Sequence, residues 1–170
     1  MVAGSNPAAG AQKFMILDFI FLTITYSGGY LVVTGVTILT TVSFLVHKHG
    51  KRILPLLMSV EGSAASIWVL KHIFNISRPE GAFYLESSPS FPSGHAAMAI
   101  ALYGFLLYTI WKHKKHHLQN KAIWGLSILI ILIGLSRLYL GVHYLSDVLV
   151  GYLVGALWLM LSIKIQNRLN

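Results

Sequence analysis

Apolar residues along this chain come in long unbroken runs, and the polar residues fall almost entirely between them. Runs of about 17 to 25 residues are what a helix needs to cross the hydrocarbon of a bilayer. Five stretches approach that length: Tyr30 to Val46, Ile53 to about Val69, Pro92 to Trp111, Ala122 to about Leu135, and about Tyr144 to Ile163. Pro55 falls in the first turn of the second run, where a missing N–H is tolerated. The earlier segment Phe14 to Tyr26 is short and carries Asp18. It predicts a helix lying at the membrane interface or only partly inserted, and Gly28-Gly29 breaks it from the first span. The expected fold is all-α, a polytopic transmembrane helix bundle of about five spans plus that short N-terminal helix. Residues 1–12 are small and unpatterned, as expected of a disordered terminus or a cloning remnant. Residues 13–170 read as one domain without internal repeats.

Composition agrees with the pattern. The chain is 55% hydrophobic and only 11% charged, with a mean hydropathy of +0.68, whereas soluble domains carry about 25% charged residues. So few charges cannot cover a protein in water, but they suffice in lipid. The absence of cysteine excludes disulfides, thiolate metal sites and cysteine nucleophiles.

The formal charge of +8 changes the picture only through its placement. No basic stripe with interleaved aromatics runs along an amphipathic face, which argues against nucleic acid as a partner. Nine of the thirteen lysines and arginines lie in two connectors and the tail: Lys48, Lys51, Arg52; Lys112, Lys114, Lys115, Lys121; Lys164, Arg168. Short helical hairpins would put all three regions on one side of the membrane, and the positive-inside bias makes that side cytoplasmic. Contact with anionic headgroups accounts for these residues. His113, His116 and His117 lack an accompanying carboxylate, and a solvated loop explains them better than a metal site.

Lys13, Lys71, Arg78 and Arg137 remain. The last three sit at the other ends of spans, where topology gives them no role. Ionisable groups near membrane depth are costly and are functional candidates by default. The structural alternative is that each snorkels or pairs with Glu80, Glu86 or Asp147. Three cations at one end would nonetheless concentrate positive charge into an anion site. The same end carries Ser90-Phe91-Pro92-Ser93-Gly94-His95, where a loop becomes the third span. A proline suits the first helical turn, and Ser93 and Gly94 would then offer free backbone N–H groups at a helix N-terminus, a seat for phosphate. A simple capped helix start with a buried histidine is the alternative. A third cluster holds Ser136-Arg137, His143 and Asp147. Four residues apart, His143 and Asp147 share a face if the last span begins near His143. A carboxylate on one imidazole nitrogen fixes the tautomer and frees the other as a nucleophile; the alternative is a hydrogen-bonded pair that anchors the helix end.

Together the three clusters resemble the signature of the type 2 phosphatidic acid phosphatase superfamily. Lys71 to Pro79 matches its lysine, six intervening residues and Arg-Pro; Pro92 to His95 matches Pro-Ser-Gly-His; Ser136-Arg137 with His143 and Asp147 matches its third motif. All occur in order, from about Gly28 onward. The resemblance implies a membrane lipid phosphatase domain that works through a phosphohistidine. It implies His143 as nucleophile with Asp147 orienting it, and His95 as general acid and then base. Lys71, Arg78, Ser93, Gly94 and Arg137 would hold the phosphoryl oxygens, and Ser136 would only support its motif. Fixed cations would do what a metal does elsewhere, so neither metal nor cofactor is expected. The implied partners are the bilayer and a phosphorylated lipid such as phosphatidylglycerol phosphate, phosphatidic acid, undecaprenyl pyrophosphate or lipid A 1-phosphate. The family fold usually has six helices, and the short N-terminal segment departs from it.

Two other readings share parts of this pattern. The motifs also resemble vanadium-dependent haloperoxidases, which are larger and soluble, unlike this apolar chain. A lipid carrier or phospholipid receptor would use the cations but would have no need of both histidines. The implied location is an integral membrane one, a bacterial inner membrane with the site facing outward.

Overall fold

The computed structural model describes residues 16–112 and 118–169. The expectations for residues 1–12, Lys13, His113, Lys114, Lys115, His116 and His117 lie outside the described residues. Helix α1 (Ile16–Ser27) and helix α2 (Tyr30–Val46) are followed by a 3-10 turn (Gly50–Arg52) and the long helix α3 (Ile53–Phe74). An irregular loop, residues 75–93, leads into helix α4 (Gly94–Met98), a π-helical segment (Ala99–Gly104) and helix α5 (Phe105–Lys112), which together form one rod. Helices α6 (Leu118–Tyr139) and α7 (Leu145–Leu169) complete the bundle.

Among the described residues, four rods are long and apolar enough to cross a membrane: Gly50–Phe74, Gly94–Lys112, Gln119–Tyr139 and Leu145–Leu169. A fifth crossing forms if α1 and α2, bent by 46° at Gly28-Gly29, count as one. The architecture is thus the expected all-α transmembrane bundle. Its N-terminal helix is tied in more firmly than its length suggests. It packs along α6, its Thr25 is buried, and Phe21 stacks on Tyr139 at 4.1 Å between ring centroids. Tyr139 also donates to Asp18 at 3.0 Å, which gives the one acid of that segment a partner.

Inside hydrocarbon a polar group must find its partner within the protein. In α2 the hydroxyls of Thr37, Thr40 and Thr41 bond back to the carbonyls four residues earlier, at 2.7–2.9 Å. A π-helical segment shifts the backbone pairing and exposes a carbonyl; that of Ala101 accepts the hydroxyl of buried Ser59 from α3 at 2.8 Å. Tyr103 on the same segment donates to Ser27 O at 2.6 Å and so holds the end of α1. Large apolar side chains such as Leu31, Leu39, Trp124 and Leu153 point outward. In water that surface would be a liability, and in lipid it is the natural exterior.

Small residues set the closest approach. On α7, Gly151 and Gly155 are four apart and lie on one face, the spacing by which membrane helices approach closely. A Cβ on Gly151 would stand 2.4 Å from Ser93 O, and one on Gly155 2.4 Å from Ala97 O. The start of α7 is thereby pressed onto the start of α4, the region where the histidine motifs lie. Lys112 at the other end donates to Asn167 at 2.5 Å, which ties α5 to the end of α7. The hairpins place Lys48, Lys51, Arg52, Lys112, Lys121, Lys164 and Arg168 at that end and Lys71, Arg78 and Arg137 at the opposite one.

Leucine at Gly151 or Gly155 must push backbone apart, and overpacking of this kind costs about 1–3 kcal/mol. Each variant should lower the thermal unfolding midpoint in detergent. Gly125→Ala, where an added Cβ meets nothing within 4 Å, serves as the control and should not. Equal midpoints for all three would show that α4 and α7 are not held at this distance.

Candidate active site

Asp147 stands in the first turn of α7 and is almost fully buried. Its Oδ2 accepts the backbone N–H of Tyr144 at 2.9 Å, the reach of an N3 side chain back to the residue that caps its helix. The same oxygen accepts the hydroxyl of Ser90 and lies 3.2 Å from His143 Nδ1. Its backbone carbonyl accepts the N–H of Ser93 at 2.9 Å. The helix starts at Leu145, so His143 is placed by the turn before it and not by a shared helical face. The four-residue spacing still brings the pair together.

With Nδ1 facing a carboxylate, the imidazole proton belongs on Nδ1, and Nε2 presents a lone pair. Nε2 lies 3.3 Å from Arg78 Nη1, facing the cleft that His95 and Lys71 also line. Burial, followed by the positive charges of Arg137, Arg78 and Lys71, pushes the imidazole pKa down to about 2. His143 is therefore neutral, the state in which an imidazole nitrogen has a lone pair to offer.

The three cations left over by topology do converge. Lys71, in the last turn of α3, donates to Pro89 O and lies 3.5 Å from Ser90 O. Arg78 is threaded through the loop, donating to Ser88 O at 2.9 Å and to Val142 O at 2.8 Å. Arg137, at the end of α6, is fully buried. It donates to Thr25 Oγ1 at 2.8 Å and to the Tyr84 hydroxyl, while its Nε has no partner. Both arginines also hold Glu86: its Oε2 is 2.5 Å from Arg78 Nη2, and its Oε1 pairs with Arg137 Nη2. Burial alone would raise the Glu86 carboxyl, but the two guanidiniums outweigh it and hold the pKa at about 2. The cations thus converge and also pair internally, through an acid that sequence reasoning named only as one of three possible partners.

The second motif needs a correction. Helix α4 starts at Gly94, with Ser93 as its cap and Pro92 outside it. The Ser93 N–H is not free, because it is spent on Asp147 O. What Ser93 offers is its hydroxyl, buried and without a partner. Gly94, as the first helical residue, has an amide with no acceptor one turn back. Both Gly94 and His95 line the cleft. Ser136 bonds to its own helix at Ile133 O, 2.6 Å away, so it belongs to the packing of its motif. Ser90, Tyr84 and Thr25 escaped sequence reasoning, since nothing local marks a serine or tyrosine as the partner of a residue fifty or more positions away.

Both imidazoles, Lys71 and Glu86 line one cleft of about 290 Å³, and Glu86 ties Arg78 and Arg137 to it. This cleft runs between α2 and α3 past Ile67, Ala64 and Val60 to Glu61, ten residues or about 15 Å below Lys71. It joins a polar head to an apolar shaft. Residues 52–170 match the family model of the PAP2 superfamily. The chain belongs to that superfamily. Among curated relatives, it is 42% identical over 94 residues to phosphatidylglycerophosphatase B of Bacillus subtilis, covering 52% of this chain and 45% of that protein. It is 35% identical over 98 residues to an undecaprenyl-diphosphatase of Sulfolobus acidocaldarius, covering 55% and 42%. The chain thus aligns with less than half the length of either. A crystal structure of a transmembrane PAP2 type phosphatidylglycerolphosphate phosphatase from Bacillus subtilis superposes with a TM-score of 0.84 at 28% identity, covering 96% of this chain and 83% of that one. The two histidine motifs lie within the matched residues, and they are the segments that Asp147 and the Gly151 face draw together.

A neutral His143 can be checked directly. In ¹⁵N-histidine spectra, the resonance lost in His143→Asn should report an Nδ1–H tautomer that does not titrate between pH 8 and 5. A midpoint for that resonance near the ordinary histidine value, about 6.5, would overturn the assignment.

Proposed function

We propose that this protein is an integral membrane phosphatase that hydrolyses a phosphate monoester or pyrophosphate on a membrane lipid, by way of a phosphohistidine. The observation that carries this reading is the placement of His143: Nδ1 faces Asp147 and Nε2 faces Arg78, in a cleft that continues into an apolar shaft. In the first step Nε2 attacks phosphorus and the P–O bond to the lipid breaks. His95 gives its proton to the leaving oxygen. In the second step His95 takes a proton from water, whose oxygen displaces His143 and releases inorganic phosphate. Lys71, Arg78, Arg137, the Ser93 hydroxyl and the Gly94 amide hold the three equatorial oxygens. Phosphoryl transfer relies on such positioning and charge neutralisation.

The reading is metal-independent. Among the described residues, no group of three or more histidines, aspartates, glutamates and cysteines is placed to share an ion, and the cations supply the neutralisation that an ion would. Phosphatidylglycerol phosphate is the first substrate to try, because the likeness to the phosphatidylglycerolphosphate phosphatase covers nearly the whole chain. Lipid pyrophosphates come next, given the second curated relative. The basic end would face the cytoplasm and the site the exterior of a bacterial inner membrane.

Purified protein in detergent should release phosphate from these lipids, and His143→Ala should reduce the rate at least about a thousandfold. Acid quenching with a ³²P-labelled lipid should trap label on the wild type; equal label on His143→Ala would refute the intermediate. His95→Ala should slow both formation and breakdown of the labelled species. A non-catalytic lipid carrier would release no phosphate from any substrate.

Activity should persist in EDTA. Loss of activity that a divalent ion restores would sink the metal-free mechanism.

A further inference from the structure

Three openings of the site meet at one side chain. The cleft between α2 and α3, an apolar groove of about 650 Å³ beside Leu22, Leu31 and Val32, and a cavity of about 780 Å³ under the 75–89 loop are all lined by Glu86. The first two are walled by membrane-spanning helices. The third is lined by loop residues, among them Ser77, Ser87 and Ser88. Glu86 is carried by that loop, next to a fully exposed Leu85. It bridges Arg78 and Arg137, one carboxylate oxygen to each. These are two of the three cations that the proposed reaction assigns to phosphate, and a carboxylate presents to them two of the oxygens a phosphoryl group would present.

We infer that Glu86 is a tethered competitor of phosphate: it closes the Arg78–Arg137 pair between turnovers, yields to the incoming phosphoryl group by swinging toward the loop-side cavity, and returns to displace the inorganic phosphate that hydrolysis leaves. The inference rests on the phosphatase reading, and two constraints drive it. A buried guanidinium without a counter-ion is costly, so the pair needs an anion whenever substrate is absent. Three cations in a site shielded from water would also hold a free phosphate dianion tightly, and slow product release limits many enzymes. A tethered carboxylate meets both needs, because its effective concentration at the pair is high and constant. The exchange swaps one anion for another, so the site is never left with its full positive charge uncompensated. Lipid would enter through the helix-walled openings and phosphate would leave by the loop side, past the carboxylate that displaced it.

The test is binding of inorganic phosphate to the whole protein in detergent, measured by calorimetry without turnover. Glu86→Gln keeps the shape and removes the charge, and should bind phosphate about tenfold more tightly or better. In turnover it should lower the inhibition constant for phosphate by a similar factor, and lower kcat together with KM. Glu86→Ala should move affinity in the same direction, which keeps the test readable if one variant folds poorly. Glu80→Gln, the same charge change at an exposed position of the same loop, should leave affinity within about twofold of wild type. Equal or weaker binding in both Glu86 variants would overturn the competitor. Phosphate that binds none of the proteins would remove the anion site itself, and with it the proposed function.

Discussion

The carboxylate of Asp147 is the point through which the rest of the site is assembled. One oxygen serves the Tyr144 amide, the Ser90 hydroxyl and the His143 imidazole, and the residue's carbonyl takes the Ser93 amide. Each bond reaches a different part of the chain: the start of α7, the end of the long loop, the turn after α6 and the cap of α4. A buried carboxylate is tolerable only when its lone pairs are engaged. Here the engagements position the His143 imidazole, seat the loop that carries Arg78 and Glu86, and register α4 against α7. Removing the carboxylate would therefore loosen placement as well as disorient His143.

That registry needs the helices to approach closely, and lipid offers no hydrophobic force to push them together. The Gly151 and Gly155 face supplies contact instead, with backbone of α4 lying directly against it. The π-helical segment just beyond α4 belongs to the same solution. It re-aims the rod after His95, and Ser59 pairs the carbonyl of Ala101 within it. Packing and polar satisfaction thus fix His95 relative to His143 from both sides.

Much of this was legible in the sequence, and the limit has a physical form. Spans are recorded in unbroken apolar runs, so α2 to α7 were readable to within a few residues at most ends. Lys71, Arg78 and Arg137 stood out because topology could not account for them, and the histidine motifs because their spacings match a known family. What stayed hidden was pairing over long sequence separations. Ser90 acts on Asp147 across 57 positions, Thr25 on Arg137 across 112, and Glu86 on Arg137 across 51. A hydroxyl or a loop carboxylate carries no local mark of such a partner. The Ser93 amide failed for a related reason: a free N–H at a helix start is a sound local expectation, but a neighbouring helix claimed it. The packing of the short α1 is not legible either, because length describes insertion, whereas Thr25 and Phe21 describe packing.

The electrostatics of the free site also explain how one histidine can be ready before substrate arrives. Burial and three nearby cations depress the proton affinity of His143, so Nε2 keeps its lone pair at any ordinary pH. The same cations would attract the phosphoryl group of the proposed substrate, so one field favours anion binding and adds to the burial that keeps Nε2 unprotonated. Under the proposed reaction a dianionic phosphoryl group then offsets that field. Its arrival offsets the charge contribution to that low basicity and leaves the larger contribution, burial, in place. Glu86 extends the same logic to the empty site: by meeting Arg78 and Arg137 it offsets part of their charge, while burial keeps His143 unprotonated.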